Sequence, residues 1–530
     1  LVYKSEKGQK STGGAPPGRA ALHQGSGGSI MNISELLVKS VAQGEQVSII
    51  YEDREITNVE LDRAARKLGN ALLGLGVKRG DRVILQMPNC PEIFSAFQAV
   101  WKIGAVSVPI NYQVGVEETR YIYQDSEAST VITAPEYLEK VRAAKDGVLS
   151  LKNVIVVSGP PESGAYVFED LVEKSSDALA MVETSDDELA ALIYTSGTTG
   201  TPKGAMHTHY GLYYSVVHIQ KTTRYPLDMI SVAVLPLCHS YGIACMNGQF
   251  LRAKSKTVVL RQFNVEKLFS AIDRYKIQYL PAVPTMYVYM LQFPDYRKYD
   301  LSSVRYFICG SAPLSVEVWK QFHEKFGGEI CEGWGLTEAA ANNSVNPVDG
   351  LKKVGSIGKP MVGMEMKVFD PADREVPQGQ EGEIVIRGPM VMKGYWRQPE
   401  ATAEILRDGW LHTGDIGYVD ADGYFFITDR KKDIIIKGGE NISPRAIEEV
   451  LYAHPAVAEA AVIGVKDPVY GEEIRAFVAL KPGQSAAAEE IREFCGQRLK
   501  RFFVPQEVVI LPALPKSLVG KILKKELRNL

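Results

Sequence analysis

Cysteine is scarce in this chain: Cys90, Cys238, Cys245, Cys309, Cys331 and Cys495 are scattered over 530 positions, with no CxxC pair. That spacing excludes a disulfide framework and a cysteine-based zinc site, and it fits reduced thiols in a cytoplasmic protein. No uninterrupted apolar run reaches the length a transmembrane helix needs, so no span is expected. Neither sign of charge dominates. Sixty basic residues against 63 acidic ones give a net charge of -3, which supplies no general attraction to nucleic acid or an anionic membrane. No fixed-period repeat is visible.

What the sequence does have is length and apolar content. At 530 residues, 45% of them hydrophobic, it can bury substantial cores and exceeds one ordinary domain. Residues 1–30 are rich in Gly, Ser and Lys, begin at Leu1 and have no apolar h-region. They read as an added or disordered leader, with Met31 as the expected start.

From Ile33 onward, helical and strand patterns alternate. Thr57 and Glu60 form a capping box, and Leu61, Ala65, Leu68 and Leu72 follow on one helical face. A buried strand at Val83–Leu85, a helix over Pro91–Lys102 and a strand over Ala105–Ile110 predict a largely parallel sheet covered by helices. Further strands are expected at Val154–Val157, Leu189–Tyr194 and Ser231–Leu235.

The texture changes near residue 350. Glu383–Arg387 and Ile416–Thr428 look antiparallel, the latter turned at Asp420-Ala421-Asp422-Gly423. A small α+β unit then follows: a strand at Ile434–Ile436, a helix opened by Ser443 and Pro444, strands at Ala460–Val465 and Arg475–Leu480, and a helix over Ala487–Leu499. The expected division is a leader (1–30), a large α/β domain of several sheets (31–430), a hinge (431–432) and a small, mobile α+β domain (433–530).

The most informative stretch is Tyr194-Thr195-Ser196-Gly197-Thr198-Thr199-Gly200-Thr201-Pro202-Lys203-Gly204. An apolar strand runs into a loop with three glycines, five aliphatic hydroxyls and one lysine. Glycines let backbone N–H groups approach an anion, hydroxyls add donors, and the lysine adds a point charge. Triphosphate suits such a loop. It is not a Walker A motif, because Gly204 follows Lys203 where that motif needs Ser or Thr.

This loop resembles the signature of the adenylate-forming superfamily of acyl-CoA synthetases, peptide-synthetase adenylation domains and beetle luciferases. The similarity runs from about Ile33 to the end, with further motifs in the family's order. The resemblance implies ATP, Mg²⁺ and coenzyme A as cofactors and a small-molecule carboxylic acid as substrate. Gly310-Ser311-Ala312-Pro313 and Glu332-Gly333-Trp334-Gly335-Leu336-Thr337-Glu338 are similar to the adenine and metal segments. Trp334, where the family usually has Tyr, would stack on the base, Thr337 would bind phosphate, and Glu338 with Thr199 would hold the metal. In His412-Thr413-Gly414-Asp415, Asp415 would accept both ribose hydroxyls, and Arg430 would contact ribose and phosphate. Lys521, in Pro515-Lys516-Ser517-Leu518-Val519-Gly520-Lys521-Ile522, would be the catalytic lysine. Lys432 matches the hinge position, and Lys437-Gly438-Gly439 the thiol tunnel.

His239 would guard the acyl site as a gate. His239, Tyr241, Ile243, Gly310 and Gly333 would line the acyl pocket.

The implied reaction is ATP-dependent formation of an acyl-AMP with release of pyrophosphate, then transfer of the acyl group to CoA with release of AMP. Medium- or long-chain fatty acids are the first expectation, and benzoate- or cinnamate-type acids the alternative. Three rivals stand beside this reading: loading of a carrier-protein thiol, a luciferase-like oxygenation, and a non-catalytic binding protein on the same fold. Arg498–Phe503 allows peripheral membrane contact, with a packed basic helix end as the simpler reading.

Overall fold

The computed structural model describes residues 32–159, 164–195, 201–251, 254–518 and 520–530. The expected leader therefore lies outside the described residues, as does the hydroxyl-rich loop from Ser196 to Gly200.

Two large sheets flank the main core. The seven-stranded sheet runs, in spatial order, Tyr166–Val167, Asn153–Val156, Thr130–Thr133, Arg82–Gln86, Val106–Pro109, Leu189–Thr195 and Lys203–Thr208. All its pairings are parallel except the last, where Leu189–Thr195 and Lys203–Thr208 pair antiparallel on either side of the hydroxyl-rich loop. The nine-stranded sheet has Ile230–Ala233, Tyr279–Ala282, Tyr306–Cys309 and Ile330–Trp334 as parallel neighbours at its centre. Between the two sheets lie the helices Asn58–Gly74 and Pro91–Lys102, the second with the bounds read from the sequence. The capping box at Thr57 is formed, with Thr57 Oγ1 accepting from Glu60 N at 3.1 Å and Glu60 Oε2 from Thr57 N at 2.7 Å. Leu61, Ala65, Leu68 and Leu72 are all buried on one face, as their spacing required.

A third, antiparallel sheet is built on the long strand Trp410–Val419, which pairs with Gly382–Arg387, Leu406–Arg407 and Phe425–Arg430. Its turn falls at Asp420–Gly423, where Gly423 N donates to Asp420 O. The strand begins earlier than the sequence suggested, so His412 to Asp415 lie within it. The last sheet pairs Val457–Asp467 with Gly471–Leu480 and adds Ile435–Lys437, Glu440–Ile442 and, in parallel, Glu507–Ile510. Helices Pro444–Tyr452 and Ala488–Gly496 cover it around a separate core that includes Ile447, Leu451, Val462 and Ile491. This is a mixed α/β architecture of several sheets followed by a smaller α+β unit.

Leu68 and Leu73 share the Asn58–Gly74 helix, one fully buried and the other 44% exposed. Leu68→Ala is expected to cost about 2–5 kcal/mol through lost transfer energy and a residual cavity. Leu73→Ala should cost under about 0.5 kcal/mol. Urea-induced loss of helicity measures both, and equal shifts would contradict this packing.

Candidate functional site

The cleft forms where the sheets and the small domain meet. Gly310 and Trp334 stand at the carboxyl ends of the neighbouring parallel strands Tyr306–Cys309 and Ile330–Trp334, the edge of an open α/β sheet where ligands usually bind. Ser311 takes φ +70°, a left-handed conformation unusual for a serine. Of its neighbours, Ala312 is half-buried and Pro313 exposed. After Trp334 the chain must bend sharply: a Cβ on Gly335 would lie 1.6 Å from the Ala341 carbonyl oxygen. Only glycine fits that approach. The bend places Thr337 and Glu338 in a single 3-10 turn, and Thr337 Oγ1 lies 3.4 Å from Ser240 Oγ.

Asp415 and Arg430 face each other as cross-strand partners in the third sheet. Asp415 Oδ1 accepts from Arg430 Nε at 2.7 Å, and Oδ2 accepts from the Trp334 indole Nε1 at 2.9 Å. The tryptophan thus supplies a donor of its own where the family usually has a tyrosine. Each carboxylate oxygen keeps a lone pair for a further donor.

Tyr395 is a site residue that the sequence reading missed. Its hydroxyl donates to Glu338 Oε1 at 2.8 Å, and the Lys203 ammonium lies 5.2 Å from its ring centroid. Lys393 to Trp396 run alongside the Lys203–Thr208 strand, with Met206 N donating to Gly394 O and Trp396 N to Gly204 O. The signal available was Gly394-Tyr395-Trp396, a glycine ahead of two aromatics, but nothing local tied it to Lys203. Among the described residues Glu338 Oε2 has no hydrogen-bond partner, and a single carboxylate oxygen beside phosphate oxygens is how Mg²⁺ is usually held. Thr199, Ser196, Gly197, Thr198 and Gly200 lie outside the described residues, whereas Thr195 pairs with Lys203 across the hairpin.

His239 precedes the helix Ser240–Leu251, and its Nδ1 accepts from Tyr241 N at 3.4 Å. Burial, and after it the charge of Lys521, pushes His239 down to about 4, so its ring is neutral at ordinary pH. Lys521 rides on a tight hairpin in which Gly520 N donates to Ser517 O and Ser517 N to Lys521 O. Gly520 has φ +77°, and a Cβ there would meet Thr285 Oγ1 at 2.3 Å. The lysine loop is therefore seated directly on the large domain. Arg430 first, then burial and Lys432, push the Lys521 ammonium down to about 8. Its side chain still meets the water of the cleft, so the neighbouring charges carry more of that shift than desolvation does.

Three expected positions are corrected. Glu332 was expected among the nucleotide contacts, but it is buried and its carboxylate accepts from Leu314 N at 3.4 Å and Gly355 N at 3.2 Å. It braces the adenine segment from behind, and burial raises it to about 7. Ile243 was expected to line the acyl pocket with Tyr241. Two residues apart on a helix is a rotation of about 200°, so Ile243 packs into the main core while Tyr241 faces a different one. The residues one and two turns beyond Tyr241 on its own face, Ala244, Cys245 and Gly248, line a cavity of about 20 Å³ with Val216, Ile219 and Tyr279. Lys437 was expected at a thiol tunnel, yet its ammonium is buried inside the small domain, 2.5 Å from Glu473 and 3.2 Å from Phe502 O. Its neighbours Gly438 and Gly439 stay on an exposed turn. Gly310 lies against the Tyr241 ring and the Gly333 carbonyl oxygen.

The sequence profile of AMP-binding enzymes matches residues 38–396, and that of the AMP-binding enzyme C-terminal domain matches residues 446–521. The chain belongs to this family of adenylate-forming enzymes. A long-chain-fatty-acid–CoA ligase of Bacillus subtilis is 34% identical over 527 residues, covering 93% of this chain and 94% of that protein. A feruloyl-CoA synthase of an Amycolatopsis species is 38% identical over 478 residues, covering 89% and 94%. Among solved structures, the anthranilate CoA ligase AuaEII in complex with anthranoyl-AMP superposes with a TM-score of 0.89 at 29% identity, covering 94% and 97%. The family member described here is an AMP-forming acid–thiol ligase, of acyl- or aryl-CoA ligase type.

Two measurements test this geometry. Trp334→Phe keeps a stacking face but removes the donor to Asp415, and should raise the KM for ATP by about 10-fold, the worth of one hydrogen bond to a charged group. An unchanged KM would count against the contact. If the charged form of Lys521 is the active one, kcat/KM for the ATP-dependent step should fall as pH rises through about 8. A flat profile between pH 7 and 10 would exclude that role.

Proposed function

We propose that this ligase activates an apolar carboxylic acid and transfers it to coenzyme A through one cleft used in two arrangements. The observation that carries the reading is the convergence, on one cleft, of Lys203 from the first sheet, Trp334 from the second, the Asp415–Arg430 pair from the third and Lys521 from the small domain.

In the first step a carboxylate oxygen of the acid attacks the α-phosphorus of ATP. The bond to the bridging oxygen of the β-phosphate breaks, pyrophosphate leaves and a mixed anhydride forms. Lys203 and the hydroxyl-rich loop would hold the β- and γ-phosphates, Asp415 the ribose hydroxyls, and the Trp334 face the purine. Lys521 would bring its cation to the α-phosphate as charge develops there. Mg²⁺, held by Glu338 and Thr199, would neutralise phosphate charge when bound.

In the second step the CoA thiolate attacks the acyl carbon and AMP departs. That step needs the lysine loop withdrawn. Lys432 is the proposed pivot: Lys431 is held to the large domain through Gly414 O and Glu383, whereas Asp433 pairs with Arg528 of the C-terminal tail. Gly438 and Gly439 would then line the thiol path, and the neutral His239 ring could turn without carrying charge. The six cysteines form no disulfide, which suits a reducing, cytoplasmic setting.

For the acid, medium- or long-chain fatty acids are the proposed substrates. The reading is supported by the Bacillus subtilis relative, which is named for such acids, and by the small residues Ala244, Cys245 and Gly248 one and two turns beyond Tyr241. An aromatic acid is the second reading. It is favoured by the buried Tyr241 hydroxyl, which has no hydrogen-bond partner among the described residues and would suit a ring hydroxyl, and by the feruloyl-CoA synthase relative.

Acid-dependent exchange of labelled pyrophosphate into ATP, across straight-chain acids from acetate to palmitate together with benzoate and hydroxycinnamates, tests the reaction and ranks the acids. Exchange with no acid would sink the proposal. Lys521→Ala should lower that exchange by about 100-fold or more while thioester formation from pre-made acyl-AMP stays near wild type. Equal loss of both half-reactions would contradict the two arrangements.

A further inference from the structure

We infer that Glu449 is a positioning residue for the acid-activating step, acting as a latch that holds the small domain in the arrangement that delivers Lys521. This rests on the two-step reading above.

Glu449 lies on the Pro444–Tyr452 helix of the small domain, which packs against the Val316–Phe326 helix of the large one. Its Oε2 crosses between them and accepts from Ser315 Oγ at 3.1 Å and Val316 N at 3.2 Å. The Val316–Phe326 helix begins three positions after Pro313, so the small domain grips the chain just beyond Gly310-Ser311-Ala312-Pro313. A carboxylate at a helix N-terminus receives orphan backbone donors and the positive end of the helix dipole. The group is half-buried, and desolvation raises its pKa against the opposing pull of Arg445. A half-buried carboxylate whose donors lie on another domain favours the docked state, because undocking leaves it and the two donors to find new partners.

The adjacent residue completes a linkage to the lysine. Glu448 Oε1 lies 2.8 Å from Lys524 Nζ and also accepts from Val462 N at 2.8 Å. Lys524 opens the terminal helix Lys524–Leu527, and Lys521 is three positions before it. One helix therefore reaches the large domain through Glu449 and the Lys521 hairpin through Glu448. Its other polar contacts to the large domain, among the described residues, join Ser443 to Thr428 O and Asp429 and Arg445 to Ile427 O and Asp429. These sit beside the proposed pivot. Glu449, farther along the helix, is a polar contact that rotation must break, together with the packing of Tyr452 on the core of the second sheet.

Glu449→Ala should lower acid-dependent pyrophosphate exchange by roughly 10-fold, the worth of hydrogen bonds to one charged group. Thioester formation from pre-made acyl-AMP should be unchanged or faster, and the thermal unfolding midpoint close to wild type. Glu449→Gln, which keeps an acceptor oxygen, should recover most of the exchange. Wild-type exchange in Glu449→Ala, or an equal fall in both half-reactions, overturns the latch while leaving the ligase reading intact. A wild-type protein that exchanges pyrophosphate with no acid overturns that reading, and the latch with it.

Discussion

The ion pair between Asp415 and Arg430 is the constraint on which the cleft depends. Asp415 is almost entirely withdrawn from water, its side chain 2% exposed, and an unpaired carboxylate there would be costly. Arg430 holds one of its oxygens and Trp334 the other, so the third sheet is tied to the end of the second by the group proposed to hold the ribose. The same guanidinium depresses Lys521 more than any other influence. Arg430, Lys432 and Lys521 thus crowd three cations into one space, an arrangement whose natural complement is a polyanion. A triphosphate brought there relieves repulsion already built into the protein.

The remaining machinery is arranged around that centre by backbone geometry. Gly335 lets the chain fold back so tightly that Thr337 and Glu338 fall beside Ser240 and Tyr395. Gly520 lets the lysine hairpin press onto Thr285. Tyr395 joins Lys203 to Glu338 through a ring contact and a hydrogen bond, so the residues proposed for phosphate and metal share one support. These placements come from different sheets, which is why loss of any one distorts a site rather than a fold.

Much of this was legible in the residues, and the rest was hidden for physical reasons. The face Leu61, Ala65, Leu68 and Leu72 and the capping box at Thr57 were readable because helix periodicity and capping are local. The loop around Lys203 announced an anion by composition alone, while the roles expected of Trp334, Asp415 and Lys521 came from resemblance. Asp415 in isolation reads as a turn residue, and only the register of two paired strands puts it opposite Arg430. Tyr395 was missed because its partners lie 57 residues or more away in sequence, and Glu449 because it caps a helix of another domain. Ile243 and Lys437 were placed by resemblance, and the helical rotation between Ile243 and Tyr241 and the burial of Lys437 set them apart from the expected positions. The partner of Lys437, Glu473, comes from the adjoining strand, a pairing no local pattern reveals.

The central claim is that one carboxylate oxygen becomes part of a mixed anhydride with AMP and stays there when sulfur takes the acyl group. Acid labelled with ¹⁸O in its carboxylate, turned over with ATP and CoA and resolved by mass spectrometry, follows that oxygen directly. One labelled oxygen should appear in AMP and none in pyrophosphate. Label in pyrophosphate or in inorganic phosphate, or its absence from AMP, would contradict an acyl-adenylate.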